Sequence, residues 1–319
     1  MHRIAVLDDY ENAALAAADW ESLAGCMISV FNRHLGDEDA VAEALRNFDV
    51  IVCMRERTPF PASLIERLPN LKYLVTTGLR NLAIDMAAAR EQDVTVSGTQ
   101  MLGYPAFEHT WALILAVTKN IPFEDRTMKS GGWQQGYGVG LNGKTLGVVG
   151  LGKLGSKVAR VGLAFDMEVI AWSENLTDER ADEVGVRRVD KETLFREADI
   201  VTIHQLLSDR TRGLVGATEL EAMKRSAYIV NTSRGPIIDE AALIHALDTE
   251  TIAGAALDVY ETEPLPVDHR LRDLDNVVLT GHTGFVVREL HELAYGQAVE
   301  NIASWLAGEP LRVLNAPED

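Results

Sequence analysis

The sequence contains little cysteine, no long apolar run and no excess of positive charge, and each absence excludes a class of protein. Its 319 residues include two cysteines, Cys26 and Cys53, too few for a disulfide scaffold or a cysteine metal cluster. Each lies in an apolar run, as expected of a buried free thiol. No apolar run approaches the roughly 18 residues that span a membrane, and no secretory signal pattern is visible. We expect a cytoplasmic protein that holds no metal and spans no membrane.

Charge and composition narrow the class further. The formal net charge is −18, so the overall field repels polyanions, and we expect no nucleic-acid partner even if a local basic patch is present. Apolar residues make up 47% and charged residues 24%, which is typical of a globular chain with a sizeable core. The length suits two domains of about 100–200 residues each.

Short apolar runs alternate with helical patterns along nearly the whole chain. Such alternation predicts α/β domains in which helices cover a parallel sheet. The predicted strands are 4–7, 27–31, 50–54, 71–76, 94–97, 145–149, 168–172, 200–204, 228–231, 254–257 and 277–279. The predicted helices are 11–23, 38–47, 61–68, 85–91, 105–128, 153–165, 177–184, 218–224, 240–248 and 287–306. A glycine-rich connection at 131–138 separates two series, which we interpret as two α/β domains.

A glycine motif opens the second series. The strand 145–149 runs into Gly150, Gly152 and Gly155, spaced as G-x-G-x-x-G, and a helical pattern follows at once. The first glycine permits a tight turn, the second lets the backbone approach a pyrophosphate, and the third lets helix and strand pack closely. Free N–H groups at the helix N-terminus then bind the phosphates. The motif predicts a dinucleotide site.

The end of the next strand bears on which dinucleotide binds. An acid about 20 residues after the motif normally grips the adenosine ribose. Here Ser173 stands at that place and Glu174 follows it. A carboxylate repels a 2′-phosphate, and no arginine appears before Arg180, so NAD is favoured. Ser173 could equally hydrogen-bond the phosphate of NADP, so NADP stays an open alternative.

Three further segments place polar side chains directly after predicted strands. Arg234 follows the strand 228–231, Asp258 and Glu263 follow 254–257, and His282 follows 277–279. Because ligands bind at the carboxyl edge of a parallel sheet, these groups are expected to converge there. A guanidinium, a carboxylate and an imidazole together favour chemistry on a 2-keto acid.

These ordered motifs resemble the D-isomer-specific 2-hydroxyacid dehydrogenase family over almost the whole chain. The resemblance also covers 77–81, 84–85 and 108–110. It implies two Rossmann-like, doubly wound parallel-sheet domains with a cleft between them, and a homodimer formed through the cofactor domain. The NAD(P)-binding domain would be 104–284, and a flavodoxin-like substrate domain would be 1–103 plus 285–319.

The family resemblance implies hydride transfer between NAD(P)(H) and a small 2-keto or 2-hydroxy acid of D configuration. Arg234 would clamp the substrate carboxylate and polarise the 2-oxygen, since its planar fork suits bidentate binding. His282 would be the general acid in reduction and the general base in oxidation. Glu263 would pair with His282 and keep the imidazolium available near neutrality. Thr77 and Gly78 would join Arg234 and His282 in binding the substrate.

The resemblance also implies a set of cofactor contacts. Lys153 and Leu154 would lie on the pyrophosphate, and Asp258 would meet the nicotinamide carboxamide. The full set is Thr77, Gly150, Gly152, Lys153, Leu154, Gly155, Ser173, Glu174, Gln205, Thr232, Ser233, Arg234, Asp258, His282 and Gly284.

Some positions depart from the family pattern or keep two interpretations. Gly281 replaces a common proline before His282, and Arg80 stands where many members carry aspartate. His109 either faces the cleft or is packed, and packing is favoured. Trp133 either caps the active-site mouth of a partner subunit or fills the core. These positions leave the substrate open.

A binding protein is the alternative from another class. Dinucleotide-sensing corepressors share this fold and act through a dimer surface with little turnover. The complete set of Arg234, Glu263 and His282 favours the enzyme.

Overall fold

A computed structural model describes residues 1–316, which form two compact units. One unit consists of residues 1–102 and the segment that begins at Val286, and the other is Gly103–Phe285. Both are built on parallel sheets with helices in the connections, which confirms the predicted fold class. The predicted substrate domain extends to residue 319, and its last three residues lie outside the described residues.

The first unit begins with a regular alternation of short strands and helices. Its elements are β1 (His2–Val6), α1 (Ala14–Ala17), β2 (Cys26–Val30), α2 (Glu38–Leu45), β3 (Val50–Cys53), α3 (Ala62–Ile65), β4 (Tyr73–Thr76), α4 (Met86–Glu91) and β5 (Thr95–Gly98). The sheet order is β2-β1-β3-β4-β5, and all neighbours are parallel. β2 therefore lies on one side of β1, and β3, β4 and β5 follow on the other side, so the sheet has a switch point between β1 and β3.

The second unit opens with two helices and continues as a seven-stranded sheet. Its elements are α5 (Pro105–Thr118), α6 (Ile121–Lys129), β6 (Thr145–Val149), α7 (Lys153–Ala164), β7 (Glu168–Trp172), α8 (Asp178–Asp182), β8 (Arg187–Arg188), α9 (Lys191–Glu197), β9 (Ile200–Ile203), α10 (Ala217–Ala222), β10 (Tyr228–Asn231), α11 (Glu240–Asp248), β11 (Gly254–Leu257) and β12 (Val277–Leu279). The order β12-β11-β10-β9-β6-β7-β8 places the switch point between β6 and β9.

Alternating side chains of the second sheet pack into two cores. Ile229 belongs to the core that includes α9, α10 and α11, whereas its neighbour Val230 belongs to the core that includes α5 and α7. Period-two alternation of this kind is what a sheet covered on both faces requires. The last helix, α12 (Arg288–Leu306), belongs to the first unit. Among the described residues, no helix is both long and apolar enough to cross a membrane.

Several predicted elements were wrong in extent. The single helix expected at 105–128 is two helices, because Asn120 is left-handed at φ +53° and Pro122 stands at the start of α6. A proline cannot continue a helix, since it lacks an N–H group and its ring clashes with the preceding turn. The helix expected at 11–23 reduces to α1 and a 3-10 turn, because the Asp19 side chain accepts from the backbone N–H of Ser22.

Other features were missed or only partly right. The helix α9 and the two-residue edge strand β8 were not predicted. The signal for α9 was present, because Asp190 caps it by accepting from the N–H of Thr193. Cys53 is buried as expected, whereas Cys26 is only partly covered.

Candidate active site

The three predicted catalytic side chains follow three neighbouring strands of the second unit. β10 pairs with β11, and β11 pairs with β12, all in parallel, so their carboxyl ends lie side by side. Arg234 follows β10, Glu263 follows β11 and His282 follows β12. Strand order therefore brings the three connecting loops to one edge of the sheet.

The loop after β10 is held in one conformation by its own polar groups. Asn231 donates from Nδ2 to the carbonyl of Arg234 at 2.9 Å and accepts at Oδ1 from the N–H of Ser233 at 3.0 Å. Arg234 Nη1 donates to the carbonyl of Ser233 at 2.7 Å. Ser233 Oγ donates to the carbonyl of Ile203, the last residue of β9, at 2.7 Å. These bonds connect the Arg234 guanidinium to the ends of β9 and β10.

The loops after β10 and β11 touch through Gly235. A Cβ added at Gly235 would lie 2.0 Å from the carbonyl carbon and oxygen of Tyr260, so only glycine allows this approach. The N–H of Tyr260 donates to Glu263 Oε1 at 3.0 Å. One backbone contact and one hydrogen bond therefore link the Arg234 loop to Glu263.

Glu263 and His282 form a direct pair. Glu263 Oε2 lies 2.6 Å from His282 Nδ1, and the two side chains are 31% and 21% exposed. With Nδ1 engaged by the carboxylate, the Nε2 atom is left to exchange a proton with a ligand. His282 has a left-handed backbone at φ +55°, a conformation that a non-glycine residue keeps only when its surroundings enforce it.

Asp258 is the group that enforces the conformation around His282. Its backbone carbonyl accepts from the N–H of His282 at 2.7 Å, and its carboxylate accepts from the N–H groups of Thr283 and Gly284, each at 2.8 Å. Burial by itself raises the pKa of Asp258, but hydrogen bonds from His109 and Thr280 outweigh burial and hold that pKa below its ordinary value. Asp258 is therefore a buried carboxylate that fixes three consecutive residues.

The glycine turn fits a dinucleotide phosphate. Gly150 is left-handed at φ +101°, and a Cβ there would lie 2.7 Å from the carbonyl oxygen of His204. A Cβ at Gly155 would lie 2.0 Å from the carbonyl oxygen of Gly150, whereas a Cβ at Gly152 would meet nothing within 4 Å. The outer glycines are thus required by packing, and the middle one borders open space at the N-terminus of α7. Open space beside helix N–H groups is the environment that a pyrophosphate needs.

The loop after β9 borders the glycine turn. The Gln205 side chain would lie 3.3 Å from a Cβ at Gly150, which puts Gln205 beside the predicted phosphate site. His204 Nε2 lies 3.0 Å from Thr202 Oγ1, and burial lowers the pKa of His204 to about 4. His204 is therefore a neutral imidazole near pH 7.

Arg180 contacts α7, the helix of the glycine motif, although it lies far along the chain from that motif. Arg180 Nη2 donates to Ser156 Oγ at 3.0 Å, and Arg180 Nη1 pairs with Glu183 at 2.7 Å. Ser156 directly follows Gly155 in α7. Ser173 is partly covered and Glu174 is exposed. The spacing of Arg180 along the chain gave no signal of this contact.

The predicted substrate residues of the first unit form a separate polar group. Thr77 is buried, and its Oγ1 accepts from the N–H of Arg55 at 2.9 Å. Gly78 is left-handed at φ +105°, and a Cβ there would lie 2.2 Å from Arg55 Nη1. The guanidinium of Arg55 thus lies over Gly78. Sequence reasoning missed Arg55, although an arginine just after a buried strand was the available signal.

The two residues with open interpretations take clear positions. Trp133 is 71% exposed, so the alternative that it fills the core of this chain is wrong. His109 is partly buried in the second turn of α5, with Nε2 at 3.0 Å from Thr280 Oγ1 and 3.3 Å from Asp258 Oδ1. Arg80 is exposed. Among residues 1–316, no group of three or more histidine, cysteine or acidic side chains is arranged to hold a metal ion.

Comparison with known proteins agrees with this arrangement. The model of the D-isomer specific 2-hydroxyacid dehydrogenase NAD-binding domain matches residues 111–284. D-3-phosphoglycerate dehydrogenase of Archaeoglobus fulgidus is 38% identical over 273 residues, which are 83% of this chain and 51% of that protein. Glyoxylate reductase of Aeropyrum pernix is 38% identical over 256 residues, covering 77% of this chain and 76% of that protein.

Solved structures give the same result. The crystal structure of a phosphoglycerate oxidoreductase from Vibrio cholerae has a TM-score of 0.92 at 36% identity and covers 97% of this chain and 100% of that chain. The chain spans about half the length of some curated relatives, 51% for the A. fulgidus protein and for a phosphoglycerate dehydrogenase of Synechocystis. The match to the NAD-binding domain confirms the expected cofactor, NAD(H).

Proposed function

Because the chain belongs to the D-isomer specific 2-hydroxyacid dehydrogenase family, we propose that it interconverts a small 2-keto acid and the corresponding D-2-hydroxy acid. The observation that carries the proposal is the 2.6 Å pair of Glu263 and His282, joined through Tyr260 and Gly235 to the Arg234 loop. The first unit would add Thr77, Gly78 and Arg55 to substrate binding.

The chemistry divides between the cofactor and the chain's own side chains. When bound, NAD(H) supplies or accepts the hydride at C2 of the acid. Arg234 binds the carboxylate and polarises the 2-oxygen with its planar fork. In reduction His282 donates a proton from Nε2 to that oxygen, and in oxidation it removes the proton. Glu263 orients the ring through Nδ1 and stabilises its charged form.

We propose that the predicted cofactor residues act around the glycine turn. The N-terminus of α7, with Lys153 and Leu154, would hold the pyrophosphate, and Gln205 would lie beside it. Glu174 favours NAD over NADP, because a carboxylate repels a 2′-phosphate. Arg180 weakens this preference by bringing a positive charge to the same helix through Ser156. We expect NADH to be used better than NADPH, by less than about a hundredfold.

We further propose a homodimer formed through the second unit. α6 and the connection after it expose a set of large apolar side chains, and such patches commonly mark protein interfaces. The members are Ile121, Phe123, Met128, Trp133 and Tyr137. Light scattering should give twice the mass of one chain, and Phe123→Glu should reduce that value towards one chain.

The pH dependence of both reaction directions tests the proposed acid–base pair. Reduction needs a protonated His282 and should fail as pH rises, whereas oxidation needs a neutral ring and should fail as pH falls. In Glu263→Gln, loss of the charge should move both limbs of kcat/KM to lower pH by about one unit. If the two limbs do not move, Glu263 is not the partner of His282. A protein that binds NADH but reduces no 2-keto acid in a panel would instead be the dinucleotide-sensing binding protein.

A further inference from the structure

Two adjacent side chains in the second turn of α5 reach different catalytic loops. His109 Nε2 lies 3.0 Å from Thr280 Oγ1, at the end of β12. Thr110 Oγ1 lies 2.8 Å from Thr232 Oγ1, which stands two residues before Arg234. Both contacts join residues more than a hundred positions apart within the second unit. One helical turn thus contacts the loop that carries the acid–base histidine and the loop that carries the carboxylate clamp.

The direction of the first contact follows from the charge on Asp258. Thr280 Oγ1 lies 2.5 Å from Asp258 Oδ1, and a buried carboxylate can only accept. The hydroxyl hydrogen of Thr280 is therefore committed to Asp258. Its oxygen must accept from His109, so His109 carries a hydrogen on Nε2. Donors therefore run from His109 through Thr280 to Asp258, and His109 Nε2 also lies 3.3 Å from Asp258 Oδ1.

Asp258 then fixes the backbone at His282 and at the two residues that follow it. Asp258 Oδ1 accepts from the N–H of Thr283, Oδ2 accepts from the N–H of Gly284, and the Asp258 carbonyl accepts from the N–H of His282. A Cβ at Gly284 would lie 2.9 Å from Asp258 Oδ2 and 3.5 Å from His109 Cδ2, so the loop passes close to both groups. The Asp258 carboxylate that makes these bonds is itself contacted by Thr280 and His109.

The second contact acts on the Arg234 loop in the same way. Thr110 Oγ1 donates to the carbonyl of Ala106 at 2.8 Å, which commits its single hydrogen. Thr232 must therefore donate to Thr110. The next residue, Ser233, donates to the carbonyl at the end of β9. The loop is therefore attached to the sheet through Ser233 and to α5 through Thr232.

We propose that His109 and Thr110 are positioning residues, with His109 setting the acid–base loop through Thr280 and Asp258 and Thr110 setting the carboxylate-clamp loop through Thr232. The expected changes in kcat and KM rest on the proposed function, whereas the expected changes in the loops themselves do not. Glu263 contacts the His282 ring directly, whereas Asp258 contacts the backbone N–H of His282 through its carbonyl.

Four variants test the proposal. His109→Phe removes the donor, and His109→Gln keeps an N–H near the position of Nε2. Thr110→Val removes the hydroxyl that accepts from Thr232. Thr118→Val is the matched control, because Thr118 lies buried in the same helix and its hydroxyl donates to the carbonyl of Ile114, at 2.6 Å, within the helix itself.

The expected kinetic effects differ between the two positions. His109→Phe should lower kcat for reduction by about tenfold or more, since loss of positioning degrades the geometry of proton transfer. His109→Gln should restore most of that activity. Thr110→Val should raise KM for the 2-keto acid by about tenfold, with a smaller change in kcat. Thr118→Val should match the wild type in both parameters.

Hydrogen exchange gives a readout that does not depend on turnover. His109→Phe should accelerate exchange in peptides covering 280–285, and Thr110→Val should accelerate it in peptides covering 231–235. If the wild type reduces no 2-keto acid, the proposed function fails while this crossed exchange pattern still tests the positioning roles. Equal exchange and kinetics in His109→Phe, Thr110→Val and Thr118→Val would overturn the inference.

Discussion

The first strand of each sheet leads into a helix, but the two turns are built from opposite chemistry. In the second unit β6 is followed by Gly150 and Gly152, and α7 begins without a side-chain cap. In the first unit β1 is followed by Asp8 and Asp9. The carboxylate of Asp9 accepts from the N–H of Ala13 at 2.9 Å and from the N–H of Ala14 at 3.1 Å. A built-in anion thus occupies the helix N-terminus of the first unit.

Strand topology alone therefore does not make a phosphate site. Both sheets have a switch point next to their first strand, and both turns end at a helix N-terminus. In the first unit the N–H groups are already satisfied by Asp9, and its negative charge repels phosphate. In the second unit the corresponding turn, from Gly150 to Gly152, carries no carboxylate and borders open space at Gly152. We therefore expect the dinucleotide to bind only at the second turn.

The largest expected effect comes from filling the glycine turn. In Gly155→Ala the new methyl group would lie 2.0 Å from the carbonyl oxygen of Gly150, so α7 and β6 must separate. We expect the free energy of unfolding to fall by about 3 kcal/mol and NADH binding to be lost. Gly152→Ala is the matched control, because its methyl group meets nothing within 4 Å. Its stability should stay within about 0.5 kcal/mol of the wild type while NADH binding weakens. Urea unfolding and NADH titration measure both quantities, and equal stability of the two variants would contradict this geometry.

A substitution at Arg234, the proposed carboxylate clamp, should lower turnover but leave the glycine turn unchanged. Arg234→Lys keeps the charge but removes the planar fork, and kcat/KM for the 2-keto acid should fall by the equivalent of about 2–4 kcal/mol. NADH affinity should change much less, since the glycine turn is intact. Near-normal turnover in this variant would show that Arg234 is not the clamp.

The neutral His204 beside the glycine turn should make the second unit sensitive to acid. Its pKa is lowered by burial to about 4, whereas an unfolded histidine titrates near 6.5. As pH falls from 7 to 5, the unfolded state gains a proton that the folded state does not, so stability is lost. This contribution should amount to about 2 kcal/mol. In His204→Gln this loss of stability between pH 7 and pH 5 should disappear. In His245→Gln, which changes an exposed histidine, the loss should remain. Urea midpoints at pH 7 and pH 5 measure the difference, and equal acid loss in both variants would contradict the assignment.

Sequence patterns predicted the sheets and the loops of the second unit because both depend on local signals. Six strands, from β6 to β12 without β8, were located to within about one residue, since buried parallel strands are continuous apolar runs. The break at Asn120 was missed although Pro122, two residues further on, was an available signal. The contacts of His109 with Asp258 and of Arg180 with Ser156 join distant segments, so no local pattern could reveal them.

Calorimetric titration of NADH tests most directly whether the second turn alone is a phosphate site. The wild type should bind one NADH per chain. Gly155→Ala should abolish binding, and Asp9→Asn should leave both stoichiometry and affinity unchanged. Two sites per chain, or loss of binding in Asp9→Asn when the protein remains folded, would show that the first turn also binds phosphate.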